Sequence, residues 1–105
     1  MKKDKYKIGI IGLGYVGLPL AQLFLKQKHI VYGIDIDVEK INKLKLKKSY
    51  LSDFTDKDIE EMFAAGDFHI GSSFAGLSQA DAIIICFKFT FFFPIRTCFR
   101  HIEIL

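Results

Sequence analysis

The sequence is poor in cysteine: Cys86 and Cys98 stand alone among 105 residues. They lie in segments of very different character and show neither C-x-x-C nor metal-ligand spacing, which fits a reduced, cytoplasmic setting. His29, His69 and His101 are scattered in the same way, so no metal site is expected. An uninterrupted apolar run is also missing. The stretch from Ile8 to Leu25 is broken by four glycines and a proline, and no small-residue cleavage site follows it. Within that stretch Gln22, and just beyond it Lys26, fall on a helical period with the apolar residues, so neither a targeting segment nor a membrane partner is expected. No internal repeat is present. No nucleic-acid signature accompanies the lysine clusters at Lys2, Lys3, Lys5 and Lys7 and at Lys40, Lys43, Lys45, Lys47 and Lys48, which dominate a net charge of +3. Both clusters read as solvated surface, the second on the outer face of a helix, so nucleic acid is not expected as a partner. Length is the last shortage: the chain fits one domain, and a complete two-substrate enzyme needs more.

What is there is a globular balance, 50% hydrophobic and 26% charged. Lys7 to Gly12 reads as a short strand whose Ile8, Ile10 and Ile11 suit a buried parallel sheet. From about Tyr15 to Lys28, Val16, Leu20, Leu23 and Phe24 recur at helical spacing, Pro19 sits early, where its missing N–H costs least, and Lys26 and Lys28 suit the final turn. Ile30 to Ile36 reads as a second strand, parallel to the first by the right-handed crossover rule. A lysine-rich helix from about Val38 to Lys47 places Val38, Ile41 and Leu44 on one face. The next helix opens with Thr55 as N-cap, Asp56 and Asp58 in the first turn and Phe54 set to staple against Ile59, and Gly66 ends it. Phe68 to Gly71 is a third strand. Ala82 to Cys86 is a fourth, wholly apolar and therefore expected to be central. Beyond Cys86 the Phe-rich residues 87–93, Pro94 and a basic stretch with Arg96, Arg100 and His101 show no period.

The chemistry lies in Gly12-Leu13-Gly14-Tyr15-Val16-Gly17. Gly12 permits a tight turn, Gly14 lets a pyrophosphate approach the backbone, and Gly17 lets the helix lie close to the strands. The anion is then held by backbone N–H groups and the positive end of the helix dipole, with no side-chain cation required. A bare G-x-G-x-x-G is weak, but here it follows a strand, opens an amphipathic helix and precedes a second strand ending at Asp35, at about the expected ~20-residue interval. Asp35 is expected to accept ribose hydroxyls and to repel a 2′-phosphate, favouring NAD over NADP; the alternative is a strand-end turn residue. Asp37 reads as the cap of the following helix, and Lys40 as a residue within reach of the adenosine side or simply solvated. Cys86 ends a strand near the expected ligand, yet a cysteine in an Ile-rich strand reads as a small buried hydrophobe rather than a nucleophile.

The segment Lys7-Ile-Gly-Ile-Ile-Gly-Leu-Gly-Tyr-Val-Gly-Leu-Pro-Leu20, with Gly-Ile-Asp-Ile-Asp at 33–37, resembles the N-terminus of the UDP-glucose/GDP-mannose dehydrogenase family. The likeness runs from about residue 7 to 86. Lys-Ser-Tyr-Leu-Ser-Asp at 48–53 and Gln-Ala-Asp-Ala-Ile-Ile-Ile-Cys at 79–86 are most similar to the branch that oxidises UDP-N-acetylhexosamines. The resemblance implies NAD as cofactor, contacts from Val16, Asp35 and Lys40, a UDP-sugar substrate for a full-length form, homo-oligomers, and two NAD-dependent oxidations that turn a sugar C6 hydroxyl into a carboxylate. It departs after Cys86. The family continues with a Val-Pro-Thr-Pro loop whose threonine touches the cofactor, whereas this chain reads Phe-Lys-Phe-Thr. The family's nucleophilic cysteine and supporting lysine match nothing before Leu105. With suitable codons, a one-nucleotide shift over Phe93 to Leu105 yields Ser-Gln-Ser-Glu-Pro-Val-Ser-Asp-Ile-Ser-Lys-Tyr, similar to the family's next segment. This predicts a frame slip in a T-rich run.

The expected architecture is a partial Rossmann domain over residues 1–86, a doubly wound parallel sheet of order 3-2-1-4 with helices on both faces, followed by an irregular tail over 87–105. The cofactor-binding residues are expected to be Gly12, Leu13, Gly14, Tyr15, Val16, Gly17, Asp35 and Lys40, with no catalytic residue and no metal. Three functions follow: the cofactor domain of a UDP-sugar 6-dehydrogenase, a free-standing NAD-binding module, or an inactive truncated product. Lacking a nucleophile and a general base, the chain alone is not expected to turn over substrate.

Overall fold

The computed structural model describes residues 5–64 and 66–86, together with the backbone of Glu103 and Ile104. The Phe-rich tract, Cys98, His101, Lys2, Lys3 and the frame-slip segment before Glu103 lie outside the described residues. The elements run β1 (Lys7–Ile11), α1 (Gly17–Lys26), β2 (Ile30–Ile34), α2 (Val38–Lys45), α3 (Asp56–Ala64), β3 (Phe68–Gly71), a 3₁₀ turn (Phe74–Gln79), β4 (Ala82–Ile85) and β5 (Glu103–Ile104). The strands form one sheet in the order β3-β2-β1-β4-β5. The first four are parallel: Ile8 pairs with Val31 and Ala82, and Val31 with Phe68. This is the expected 3-2-1-4 order.

One short strand is added to these four: β5 pairs antiparallel with β4, Ile84 opposite Ile104 and Ile85 opposite Glu103. The physical reason is the open edge of β4, whose backbone donors and acceptors take a partner strand. Central burial of β4 is realised only at Ile84, its other residues being half-exposed.

Alternation along the strands sorts the two faces. Ile8, Ile10, Val31, Phe68 and Ile84 share one core with Leu18, Ala21 and Leu25 of α1, Ile41 and Leu44 of α2, and Ile59 and Met62 of α3. Full burial of Ile10, Leu18, Leu44 and Ile59 contributes about 1.5–3 kcal/mol each. The opposite face carries the 3₁₀ turn, with Leu77 against Gly9 and Gly76 against Tyr32. This turn has no apolar period and was not expected from sequence.

In α1 the buried stripe is Leu18, Ala21 and Leu25, with Leu20 and Phe24 partly buried against the same core, whereas Leu23, expected on the apolar period, is 48% exposed. A helix apolar nearly all round does not fix its own phase, and here Gly17, pressed against the Gly12 carbonyl, fixes it. Val38 likewise points outward, because it occupies the first position of α2, before the helix meets the sheet.

Both helix ends after α1 and α2 close in the same way. Beyond α1, Lys28 donates to the Leu25 carbonyl and His29 to that of Phe24; beyond α2, Lys47 donates to Leu44 and Lys48 to Lys43. These are Schellman closures, and they put Lys28 (φ 72°) and Lys47 (φ 59°) in the left-handed region. The start of α3 is a reciprocal box: the Asp58 N–H donates to Thr55 Oγ1 at 3.1 Å and the Thr55 N–H to Asp58 Oδ2 at 2.9 Å. Phe54 packs on the core that contains Ile59.

Candidate cofactor site

The site forms where β1 ends and its neighbours on either side diverge, β2 leading to α2 and β4 to the residues after it. Gly12 turns the chain with φ +100°, and a Cβ there would stand 2.4 Å from the Cys86 carbonyl oxygen. A Cβ on Gly17 would stand 1.6 Å from the Gly12 carbonyl oxygen. Both glycines are therefore demanded by the fold itself. Gly14 differs. A Cβ there would meet nothing nearer than Lys40 Nζ at 3.9 Å, and its φ is not in the left-handed region. Among the described residues nothing requires glycine at that position, and the space above it is open.

At the head of α1 the N-cap is Val16, whose side chain caps nothing, and no acidic residue stands in the first turn. The first turn of a helix leaves N–H groups without intrahelical acceptors, and the helix dipole favours an anion there. Pro19 stands at the third helical position, where an N–H is not needed.

Asp35 follows β2 and is 93% buried, at 7% exposure. Its Oδ2 accepts the Leu13 N–H at 2.8 Å and its Oδ1 the Asp37 N–H at 2.8 Å. The carboxylate thus ties the glycine turn to the end of β2, and each oxygen keeps a second lone-pair direction. Lys40 Nζ stands 3.9 Å from Asp35 Oδ2. Asp37 caps α2, accepting the Glu39 N–H at 3.0 Å.

Beside the turn lies a cavity of about 250 Å³ lined by Gly14, Tyr15, Asp37, Glu39, Lys40, Lys43, Tyr50 and Leu51. Of the residues expected in the site, Gly14, Tyr15 and Lys40 face this cavity. Gly12 and Gly17 form its frame, Val16 occupies the N-cap position of α1 without capping it, and Asp35 is the anchor behind it. Leu13 is fully buried, with its N–H committed to Asp35, so it holds the turn in place from the core side.

Tyr50 was missed. It sits in the loop between α2 and α3 and its hydroxyl donates to the Leu13 carbonyl. Burial first, then the nearby Asp35 and Asp37 carboxylates, push its phenol well above the usual tyrosine range, so it remains a donor. Its only sequence signal is an aromatic in a polar loop, between Ser49 and Leu51. Cys86 packs against the core, and burial raises its thiol above the usual range. It is thus poorly ionised, as a small hydrophobe would be. Among the described residues no cluster of His, Cys, Asp and Glu is arranged to hold a metal ion.

A parallel sheet of order 3-2-1-4, with a glycine turn running into an uncapped helix and a carboxylate at the tip of the second strand, defines a Rossmann-type dinucleotide domain. A profile of the UDP-glucose/GDP-mannose dehydrogenase family, NAD binding domain, matches residues 6–89. The chain belongs to this family, as its NAD-binding domain, and NAD is the cofactor of that domain.

Among curated relatives, a UDP-N-acetyl-D-glucosamine 6-dehydrogenase of Salmonella typhi is 43% identical over 58 residues, 55% of this chain and 13% of that protein. A UDP-N-acetyl-D-mannosamine dehydrogenase of Pyrococcus horikoshii is 30% identical over 81 residues, 76% of this chain and 19% of that protein. A solved GDP-mannose dehydrogenase ternary complex from Pseudomonas aeruginosa superposes with TM-score 0.70 at 26% identity, covering 77% of this chain and 19% of that one. The chain therefore spans less than a fifth of the length of these relatives.

Proposed function

We propose that residues 1–86 bind NAD by its ADP half, as the cofactor domain of a nucleotide-sugar 6-dehydrogenase. The single observation that supports this most is Gly14: a glycine that none of the described residues requires, placed between an uncapped helix N-terminus and a cavity. In this reading the diphosphate lies over Gly12, Gly14, Tyr15, Val16 and Gly17, with Leu13 fixing the turn. Asp35 accepts ribose hydroxyls through its remaining lone pairs, and its charge disfavours a 2′-phosphate, hence NAD over NADP. Lys40 swings from Asp35 toward the adenosine side. NAD, when bound, supplies a hydride acceptor; the chain's own groups bind and orient it.

The substrate class is a UDP-N-acetylhexosamine, with UDP-glucose second. Support comes from the printed names of the relatives and from residues 48–53 and 79–86. Oxidation of the sugar C6 alcohol belongs to a full-length form, which by family likeness is a homo-oligomer. A reduced cytoplasmic setting is proposed on the free thiol at Cys86. No described helix is long and apolar enough to cross a membrane.

Titration calorimetry on the 105-residue chain tests the reading. NAD is expected to bind with a micromolar Kd, about −8 kcal/mol, NADP at least about tenfold more weakly, and Gly14→Val to lose NAD while melting like the parent. Feeble NAD binding by folded protein would instead favour an inactive product.

A further inference from the structure

We propose that Tyr50 is a positioning residue for the dinucleotide site, its hydroxyl holding the glycine turn in the shape that receives a diphosphate. The proposal rests on the NAD reading above and extends it to a residue the glycine motif does not include. Four observations converge on it. The two peptide units flanking Leu13 are both gripped, the Leu13 N–H by Asp35 Oδ2 at 2.8 Å and the Leu13 carbonyl by the Tyr50 hydroxyl. The Leu13 side chain is fully buried, so the residue before Gly14 is fixed at side chain, N–H and carbonyl together.

Tyr50 is itself held. Ser49 Oγ donates to the Leu51 carbonyl at 2.9 Å, the Ser49 N–H donates to Asp56 Oδ1 at 2.8 Å, and Leu51 is buried in the core. An aromatic between two such neighbours has little freedom to leave. Finally, its ring forms part of the cavity wall, and Lys40 Nζ lies 5.9 Å from the ring centroid. The groups facing the phenol are thus Asp35 and Asp37 from the end of β2 and Lys40 from α2. Burial first, and then the carboxylate pair beside it, keep the proton on the hydroxyl, which is what a donor to a carbonyl requires.

The consequence is preorganisation: a turn already fixed loses less freedom when a diphosphate docks. Removing the hydroxyl while keeping the ring leaves the Leu13 carbonyl without this donor and lets the turn open locally.

The test uses Tyr50→Phe in the full chain. Site-resolved amide exchange without nucleotide is expected to quicken about five- to tenfold at Leu13 and Leu18, whose N–H groups are bonded to Asp35 and to the Gly14 carbonyl, and to stay unchanged at Ile8 and Ile10. The NAD Kd is expected to rise about tenfold. Uniformly faster exchange with an unaltered Kd would mark a merely structural residue and overturn the proposal, as would a variant matching the parent in both readouts. If Tyr50→Phe does not fold, a multiply fluorinated tyrosine at position 50 keeps the shape and acidifies the phenol enough to offset the upward push of burial and the carboxylates. NAD affinity should then fall with rising pH as that proton leaves, and a flat profile overturns the proposal. If the parent binds no NAD, the functional reading fails, while the exchange measurement still decides what the hydroxyl does to the turn.

Discussion

Three glycines of one motif carry three different obligations, and single substitutions separate them. Gly17→Ala drives a Cβ to 1.6 Å from the Gly12 carbonyl oxygen, so we expect the domain to lose more than about 3 kcal/mol, enough to unfold many small domains. Thermal melting checks it. Gly14→Ala has room in the unliganded chain, and its melting temperature is expected to stay within a few degrees of the parent. Asp35→Asn must turn one N–H donor toward the N–H of Leu13 or Asp37. We expect it to cost about 1–3 kcal/mol and to abolish the NAD preference, as urea unfolding and calorimetry would show. The roles of Gly12 and Gly17 were legible in sequence because motif spacing encodes their steric need. That of Tyr50 was not, since its partner is a backbone carbonyl 37 residues away in the chain, and no local pattern announces such a bond.

Among the elements, those with local chemistry at their ends were readable. Thr55 and Asp58 announce the start of α3, Asp37 that of α2, and β-branched runs mark β1 and β2. The rotational phase of α1 was not, because its apolar residues surround it. The 3₁₀ turn over Phe74–Gln79 gave no signal, since a single short turn needs no amphipathic stripe. The helix ends at Lys28 and Lys47 were equally silent, because lysine stands where glycine is the usual residue. That mismatch is testable: Lys28→Gly should raise stability by about 0.5–1 kcal/mol, less a few tenths for the lost interaction with the helix dipole. Lys47→Gly should gain less, because the Lys47 ammonium lies 4.9 Å from the Phe63 ring centroid. Denaturant midpoints would register the gain, and a loss at both positions would contradict the strain argument.

For the molecule as a whole, the titration of Tyr50 ties the site to global stability. The folded phenol ionises above its ordinary value of 10.0, whereas an unfolded chain would lose the proton near that value. Below pH 10 the contribution is therefore complete, and it is lost as pH rises toward the folded value. Alkaline unfolding should show this component, and Tyr50→Phe should flatten it. The four-stranded parallel order was legible because each crossover follows a rule of handedness. The pairing of β5 with β4 was not, since two residues of a tail carry no period from which an edge strand could be inferred.

The bare head of α1, with Val16 offering no side-chain acceptor, has a practical consequence for anyone handling the protein. Inorganic phosphate and sulfate carry the charge that a helix head favours, so if NAD docks there as proposed, buffers made from them are expected to compete with it. Affinities measured in such buffers would come out too weak and melting temperatures too high, and an amine buffer with chloride is the better medium for either measurement.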